Sequence, residues 1–235
     1  MIDAVAQLAA RVVMMCGGKD EPVLVGVAGA VAVGKTTFAL ALADALTKHE
    51  VIADVVSTDG FLLANTVLAE RGLQLRKGYP ESYDVAALRT FAGAVRSDVA
   101  EFPVPVYSHL TYDLVEGEAH VVHPADVVVV EGVNALGALE GLLDLGVYVD
   151  AAEADLERWY VTRFRALTDE ARADPSSFYR PFVSMAPEEV DAIALGTWRD
   201  INLVNLREHI APTRALADVI VMKGPDHDVL EVRGA

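Results

Sequence analysis

The run Gly29-Ala30-Val31-Ala32-Val33-Gly34-Lys35-Thr36 fits G-x-x-x-x-G-K-[ST] at every fixed position, and it constrains the fold more than any other segment of the chain. An apolar run, Val23–Ala28, comes directly before it, and an Ala- and Leu-rich stretch, Thr36–Leu46, directly after. Strand, glycine-rich loop and helix in that order form the context a phosphate-binding loop requires. The glycines let backbone N–H groups curl around phosphate oxygens, and the helix N-terminus adds positive partial charge. In that setting Lys35 reaches the β/γ-phosphates of a nucleotide, and the Thr36 hydroxyl ligates Mg²⁺. A chance glycine-rich turn is the alternative, and nothing would then place a strand and a helix around it.

The order of the remaining segments extends this into a fold class. Val51–Ser57, Val127–Val130, Val147–Val149, Val219–Met222 and Val229–Val232 read as strands, with Pro103–Ser108 short and extended. Val127–Val130 is unbroken apolar sequence, which predicts a central strand covered on both faces. Helices are predicted over Ala86–Val95, Leu156–Leu167 and Pro187–Leu206, the last opened by Pro187 and Glu188-Glu189. Ile2, Val5, Leu8, Val12 and Met15 recur at helical spacing up to Gly17-Gly18 and predict an amphipathic N-terminal helix. Glu116-Gly117-Glu118 lies between β-prone residues, so Val115–His123 reads as a small hairpin. Strands alternating with helices imply a three-layer α/β/α fold of the P-loop NTPase kind, with a mainly parallel central sheet. Right-handed crossovers then place the ligand along one sheet edge, at the strand C-termini. No repeat or linker interrupts the pattern, so residues 1–235 read as one domain.

Bulk properties narrow the function. The formal net charge is −16, and no basic stripe stands out. That argues against nucleic acid as a partner. It does not forbid a local anion pocket, since screening limits its reach to about 10 Å. No apolar run approaches the ~20 residues of a membrane span. No secretory signal is apparent, and Cys16 is the single cysteine. A cytoplasmic location is the expectation.

Several residues can carry chemistry. Asp59 closes the second predicted strand in Ser57-Thr58-Asp59-Gly60-Phe61. Across the cleft from the loop it could accept the proton of a hydroxyl attacking a γ-phosphate, although Asp-Gly is also an ordinary turn. Glu131 ends Val127–Val130 and fits an acid that touches Mg²⁺ directly or through water; it also reads as an acid preceding a helix. Tyr107, His109 and Tyr112 can hydrogen-bond a small polar substrate, or serve structure alone. Arg163, Arg165 and Arg172 can clamp a phosphoryl group or form a solvated basic face, with Arg163 the favoured candidate. Asn202 lies four residues beyond Trp198 on the last long helix, where a buried amide would need a partner.

Taken together, these segments closely resemble bacterial type I pantothenate kinase. The stretches that carry the resemblance are Gly26–Thr37, Thr58–Asn65, Arg76-Lys77-Gly78-Tyr79-Pro80-Glu81-Ser82-Tyr83-Asp84, Pro105–Asp113, Pro124–Asn134, Tyr148–Ala151, Trp159–Phe164 and Ile201–Arg214, in one order from about Val23 to Val232. The resemblance implies transfer of the ATP γ-phosphate to the terminal hydroxyl of pantothenate, the first step of coenzyme A synthesis. It implies that Gly29 to Thr37, with Lys35 and Thr36, hold ATP and Mg²⁺, and that Asp59 is the general base. It places Tyr107, His109, Tyr112, Tyr160 and Asn202 in the pantothenate pocket, Arg163 on the phosphate and His227 near the adenine. A homodimer is implied as well.

Departures from the family pattern sharpen these expectations. The family carries a long extension ahead of the first strand that helps seat the nucleotide. Leu40 stands where the family has an arginine that contacts coenzyme A, so weak or absent feedback inhibition is expected. Leu167 and Phe178 replace aromatic residues near the pantothenate site, and Phe178 lacks the phenolic hydroxyl. These changes keep open a related kinase acting on a nucleoside or a sugar. A non-enzymatic nucleotide switch fits less well, because no Asn-Lys-x-Asp guanine motif is present.

Overall fold

The computed structural model describes residues 2–18, 21–97 and 101–234. Its main sheet has six strands: β1 (Val23–Gly29), β2 (Ala53–Ser57), β5 (Val127–Glu131), β6 (Leu145–Ala151), β7 (Val219–Lys223) and β8 (Val229–Arg233), in the order β2-β5-β1-β6-β7-β8. Every pair is parallel except β7–β8. β3 (Phe102–Ser108) and β4 (Asp113–Val122) form a separate antiparallel ribbon.

The period-two alternation of the central strands splits the core into two layers. Val23, Val25, Val27, Val127 and Val129 pack with α1 (Ile2–Cys16) and α2 (Lys35–Thr47). Leu24, Val128 and Val130 face the other way, toward α4 (Val85–Val95) and the ribbon. The expected three-layer α/β/α arrangement is therefore present, and β5 is buried along its whole length, as its unbroken valines predict. Val5, Leu8 and Val12 of α1 are buried as their spacing predicts; the side chain of Ile2 lies outside the described set. Asp84 caps α4 by accepting from Ala87 N at 2.8 Å. No helix among the described residues is long and apolar enough to cross a membrane.

Two expectations are corrected. The segment Val115–His123 is not a hairpin of its own. Its residues up to Val122 belong to one strand, β4, paired with β3. Gly117, with φ +77°, lies where the register shifts between Pro105 and Tyr107, so Glu-Gly-Glu forms a bulge and not a turn. The true turn is the ribbon tip between Ser108 and Asp113, where Tyr112 takes φ +57°. The helix predicted over Pro187–Leu206 is also not uniform. The α-helix α7 (Pro187–Thr197) opens into a π-turn at Trp198–Asn202, returns to α at Leu203–Asn205, and widens again at Leu206–Ile210.

Candidate active site

Strand order brings the two candidate acids together. β5 lies between β2 and β1, with Glu131 in register with Ser57 on one side and Val27 on the other. Asp59, two residues past Ser57, and Glu131 thus stand side by side where β1 runs into the glycine loop. Thr36 Oγ1 donates to Glu131 Oε1 at 2.9 Å, joining the start of α2 to the end of β5. Lys35 is buried and its Nζ donates to the Ala30 carbonyl at 2.9 Å. Gly34 holds φ +85° at the N-terminus of α2, a conformation that glycine adopts without cost. Ala30 and Val33 point into the core, while Val31, Ala32, Lys35 and Thr36 line the cleft. Thr37 is exposed and outside that lining.

Beyond the loop lies a cavity of about 180 Å³. Asp59, Glu131, Lys35 and Arg163 line it together with Tyr107, His109, Tyr112, Tyr160 and Asn202. These residues come from the ends of β2 and β5, the start of α2, the ribbon tip, α6 (Glu153–Glu170) and the first π-turn. A second pocket of about 260 Å³ shares Thr36, Asp59, Tyr107, His109 and Glu131 with it. A larger cavity, about 450 Å³, sits at the other edge of the sheet, beside Pro22, Ile52 and Asp126 at the strand N-termini, away from all of these groups.

Electrostatics at Asp59 suit proton transfer. Loss of water pushes its carboxyl above the ordinary value of 3.8, and the charges of Lys35 and Arg163 work against that rise. Tyr83 donates its hydroxyl to Asp59 Oδ1 at 3.4 Å, and His109 Nε2 lies 3.8 Å from Oδ2. Burial, reinforced by Arg163, pushes the His109 imidazole down to about 4, so it is neutral at pH 7. Arg165 is instead engaged with Asp191, and Arg172 with Asp169, both on the surface. Of the three arginines, only Arg163 lines the cavity.

Beyond the loop, Phe178 and His227 lie off the cavity lining. Phe178 is exposed and stacks on the Tyr112 ring at 4.7 Å; its neighbour Tyr179 takes the lining position. Its backbone N–H bonds the Leu110 carbonyl at 2.9 Å, which ties this loop to the ribbon tip and turns the Phe178 ring outward. His227 occupies the β7–β8 turn with φ +63°, its ring stacked 3.7 Å from that of Trp159. Leu167 does line the cavity.

Residue-level reading of the sequence had no pattern for several groups found here. Lys77 is buried, its Nζ bonded to Asn65 Oδ1 and the Tyr112 carbonyl, each at 2.6 Å, and held over the Tyr107 and Tyr112 rings. Burial lowers its ammonium to about 8. Lys223, at the end of β7, donates Nζ to the Val33 carbonyl at 2.9 Å, directly under the loop. Tyr83 and Lys77 fall inside the Arg76–Asp84 run, whose resemblance to a known family was the available signal. Lys223 carried none.

The donor set fits Mg²⁺. Thr36 and Glu131 offer hard oxygens, and among the described residues no cluster of three or more His, Cys, Asp or Glu side chains forms a cage. Mg²⁺ held by one or two protein oxygens plus water and phosphate needs no such cage.

A parallel sheet ending in a phosphate-binding loop, with two acids at the adjoining strand ends and a polar cavity beyond them, defines a P-loop kinase. The sequence model of the phosphoribulokinase/uridine kinase family matches residues 24–163. Pantothenate kinase of Sorangium cellulosum is 48% identical over 223 residues, covering 90% of this chain and 72% of the relative. That of Cutibacterium acnes is 44% identical over 230 residues, covering 92% and 70%. The chain belongs to the phosphoribulokinase/uridine kinase family and, within it, to the pantothenate kinases. Among solved structures, a Silicibacter protein assigned as a fructose transport system kinase superposes with a TM-score of 0.71 at 25% identity, covering 91% of this chain and 95% of that one. D-glycerate 3-kinase from Cryptococcus neoformans shares the fold, with a TM-score of 0.65 at 16% identity, covering 97% and 98%.

Proposed function

We propose that this chain phosphorylates the terminal hydroxyl of pantothenate with ATP. The observation that carries the reading is the continuity of the cavity. It runs from Lys35, Thr36, Asp59 and Glu131 at the loop to Tyr107, Tyr112, Tyr160 and Asn202 at its far wall. A hydroxyl donor seated against the far wall meets the phosphate end within one enclosure. The kinship with pantothenate kinases supports the choice of acceptor.

The chain's own residues divide the work. Asp59 accepts the proton of the attacking hydroxyl. Lys35 and Arg163 stabilise negative charge on the transferring group. Neutral His109 orients the hydroxyl next to Asp59, and the tyrosines with Asn202 hold the remainder of the acceptor. Thr36 and Glu131 would hold Mg²⁺, which when bound neutralises charge on the phosphate oxygens. The reading also includes a homodimer, which rests on the resemblance, and a cytoplasmic location, which rests on the single cysteine and the lack of an apparent secretory signal.

The test is ADP release from Mg·ATP by purified protein, with pantothenate compared against uridine, cytidine and several sugars. Saturable, pantothenate-dependent turnover is the expected result. Turnover with a different acceptor alone would keep the kinase and replace its substrate. A second expectation concerns regulation. Leu40 on α2 is half-exposed and carries no charge, so micromolar coenzyme A should leave turnover unchanged. Inhibition competitive with ATP would refute that.

A further inference from the structure

One residue of the cavity wall carries a buried polar atom with no partner. Asn205 is 3% exposed and lines the cavity beside Ile201, Asn202 and Lys77. Its Nδ2 donates to the Gly78 carbonyl at 2.8 Å. That carbonyl can only accept, so the amide cannot be turned round, and Oδ1 is the atom left over. Oδ1 is buried and makes no hydrogen bond within the protein.

The local backbone explains how two asparagines reach one wall. Asn202 ends the first π-turn and Asn205 precedes the second, on the single α-turn between them. Wide turns inside helices re-aim side chains and recur at functional sites. Here the widened backbone is pinned: Tyr79 donates its hydroxyl to the Ile201 carbonyl at 3.0 Å, and Asn202 Nδ2 reaches the Thr197 carbonyl at 3.3 Å. Lys77, on the same wall, already has two partners. Leaving a buried acceptor unmatched is costly unless something supplies a donor.

We propose that Asn205 Oδ1 accepts a hydrogen bond from a neutral N–H or O–H group of the phosphate acceptor, which makes Asn205 a specificity-determining residue. The proposal rests on reading this cavity as the acceptor site. It excludes a carboxylate or phosphate at this point, since those groups only accept. In pantothenate the available donors are the amide N–H and the secondary hydroxyl.

The experiment uses the full chain and its Asn205→Ala variant. Each is assayed with pantothenate, with an ester analogue lacking the amide N–H, and with an analogue lacking the secondary hydroxyl. The variant's KM for pantothenate should rise about 10- to 100-fold, the effect of leaving one hydrogen-bond partner unmatched. Its KM for ATP should stay unchanged. One of the two analogues should lose a similar factor on the wild-type enzyme and little further on the variant, which identifies the donor. The wild-type arm decides the matter even if the variant does not fold, because a full rate with both analogues overturns the proposal. An unchanged KM for pantothenate in the variant overturns the role of Asn205 alone. Absent wild-type turnover of pantothenate overturns the proposed function, and this assignment with it.

Discussion

Asp59→Asn should lower turnover about 10²- to 10⁴-fold, the contribution of a positioned general base. The substitution keeps the shape of the side chain and an oxygen able to accept from Tyr83, so the turn that follows β2 should survive. Nucleotide affinity should hold or improve, because a negative charge near the phosphate site disappears. The pH profile supplies the sharper test. Asp59 acts in its deprotonated form, so kcat/KM should climb as pH rises through its pKa. Burial holds that pKa above 3.8, which moves the acid limb toward neutrality. The limb should vanish in the variant. Unimpaired turnover in Asp59→Asn would remove this carboxylate from the reaction.

Gly132→Ala should damage both stability and activity although Gly132 has no side chain to offer a ligand. A Cβ there would lie 1.7 Å from Thr58 Oγ1 and 2.7 Å from Thr58 Cβ. Thr58 is completely buried and cannot swing aside, and Gly132 is anchored by its N–H to the Val27 carbonyl at 3.0 Å. The strain must therefore spread the β2 and β5 ends. Overpacking of this kind costs about 1–3 kcal/mol. It also separates Asp59, next to Thr58, from Glu131, next to Gly132, and a misplacement of about 1 Å can cost 10²-fold in rate. Calorimetry and ADP release should both show the loss. Gly93→Ala is the control, since a Cβ there meets nothing within 4 Å. A Gly132→Ala protein with the wild-type melting temperature and rate would refute the argument.

Much of this site was legible one segment at a time. The loop from Gly29 to Thr36 declares itself because its requirements are local: glycine where φ is positive, a lysine, a hydroxyl, a strand before and a helix after. The valines of β5 identify a doubly covered strand because burial on both faces leaves no polar position. Asp59 and Glu131 were recognisable as strand-end acids. The Glu116-Gly117-Glu118 segment misled, because a glycine between acids looks alike in a turn and in a bulge. Only pairing with β3 decides between them, and that pairing joins segments that are apart in sequence. The π-turn at Trp198–Asn202 was invisible for a similar reason. The hydrophobic spacing there is ordinary for a helix, and a contact from Tyr79 holds the opened backbone.

From sequence alone the chain determined its phosphate-binding end, since that chemistry is written into consecutive backbone positions. Tertiary structure decided the acceptor end. Apart from the family resemblance of the stretches that hold Lys77, Tyr83 and Asn205, these three and Tyr179 belong to no local pattern, and each acquires its role only where packing from distant segments strips away water. A lone lysine or asparagine is unremarked in a solvated chain. Once buried it must find a partner, and which partner it finds depends on how the ribbon tip, α6 and the widened helix close over the end of the sheet.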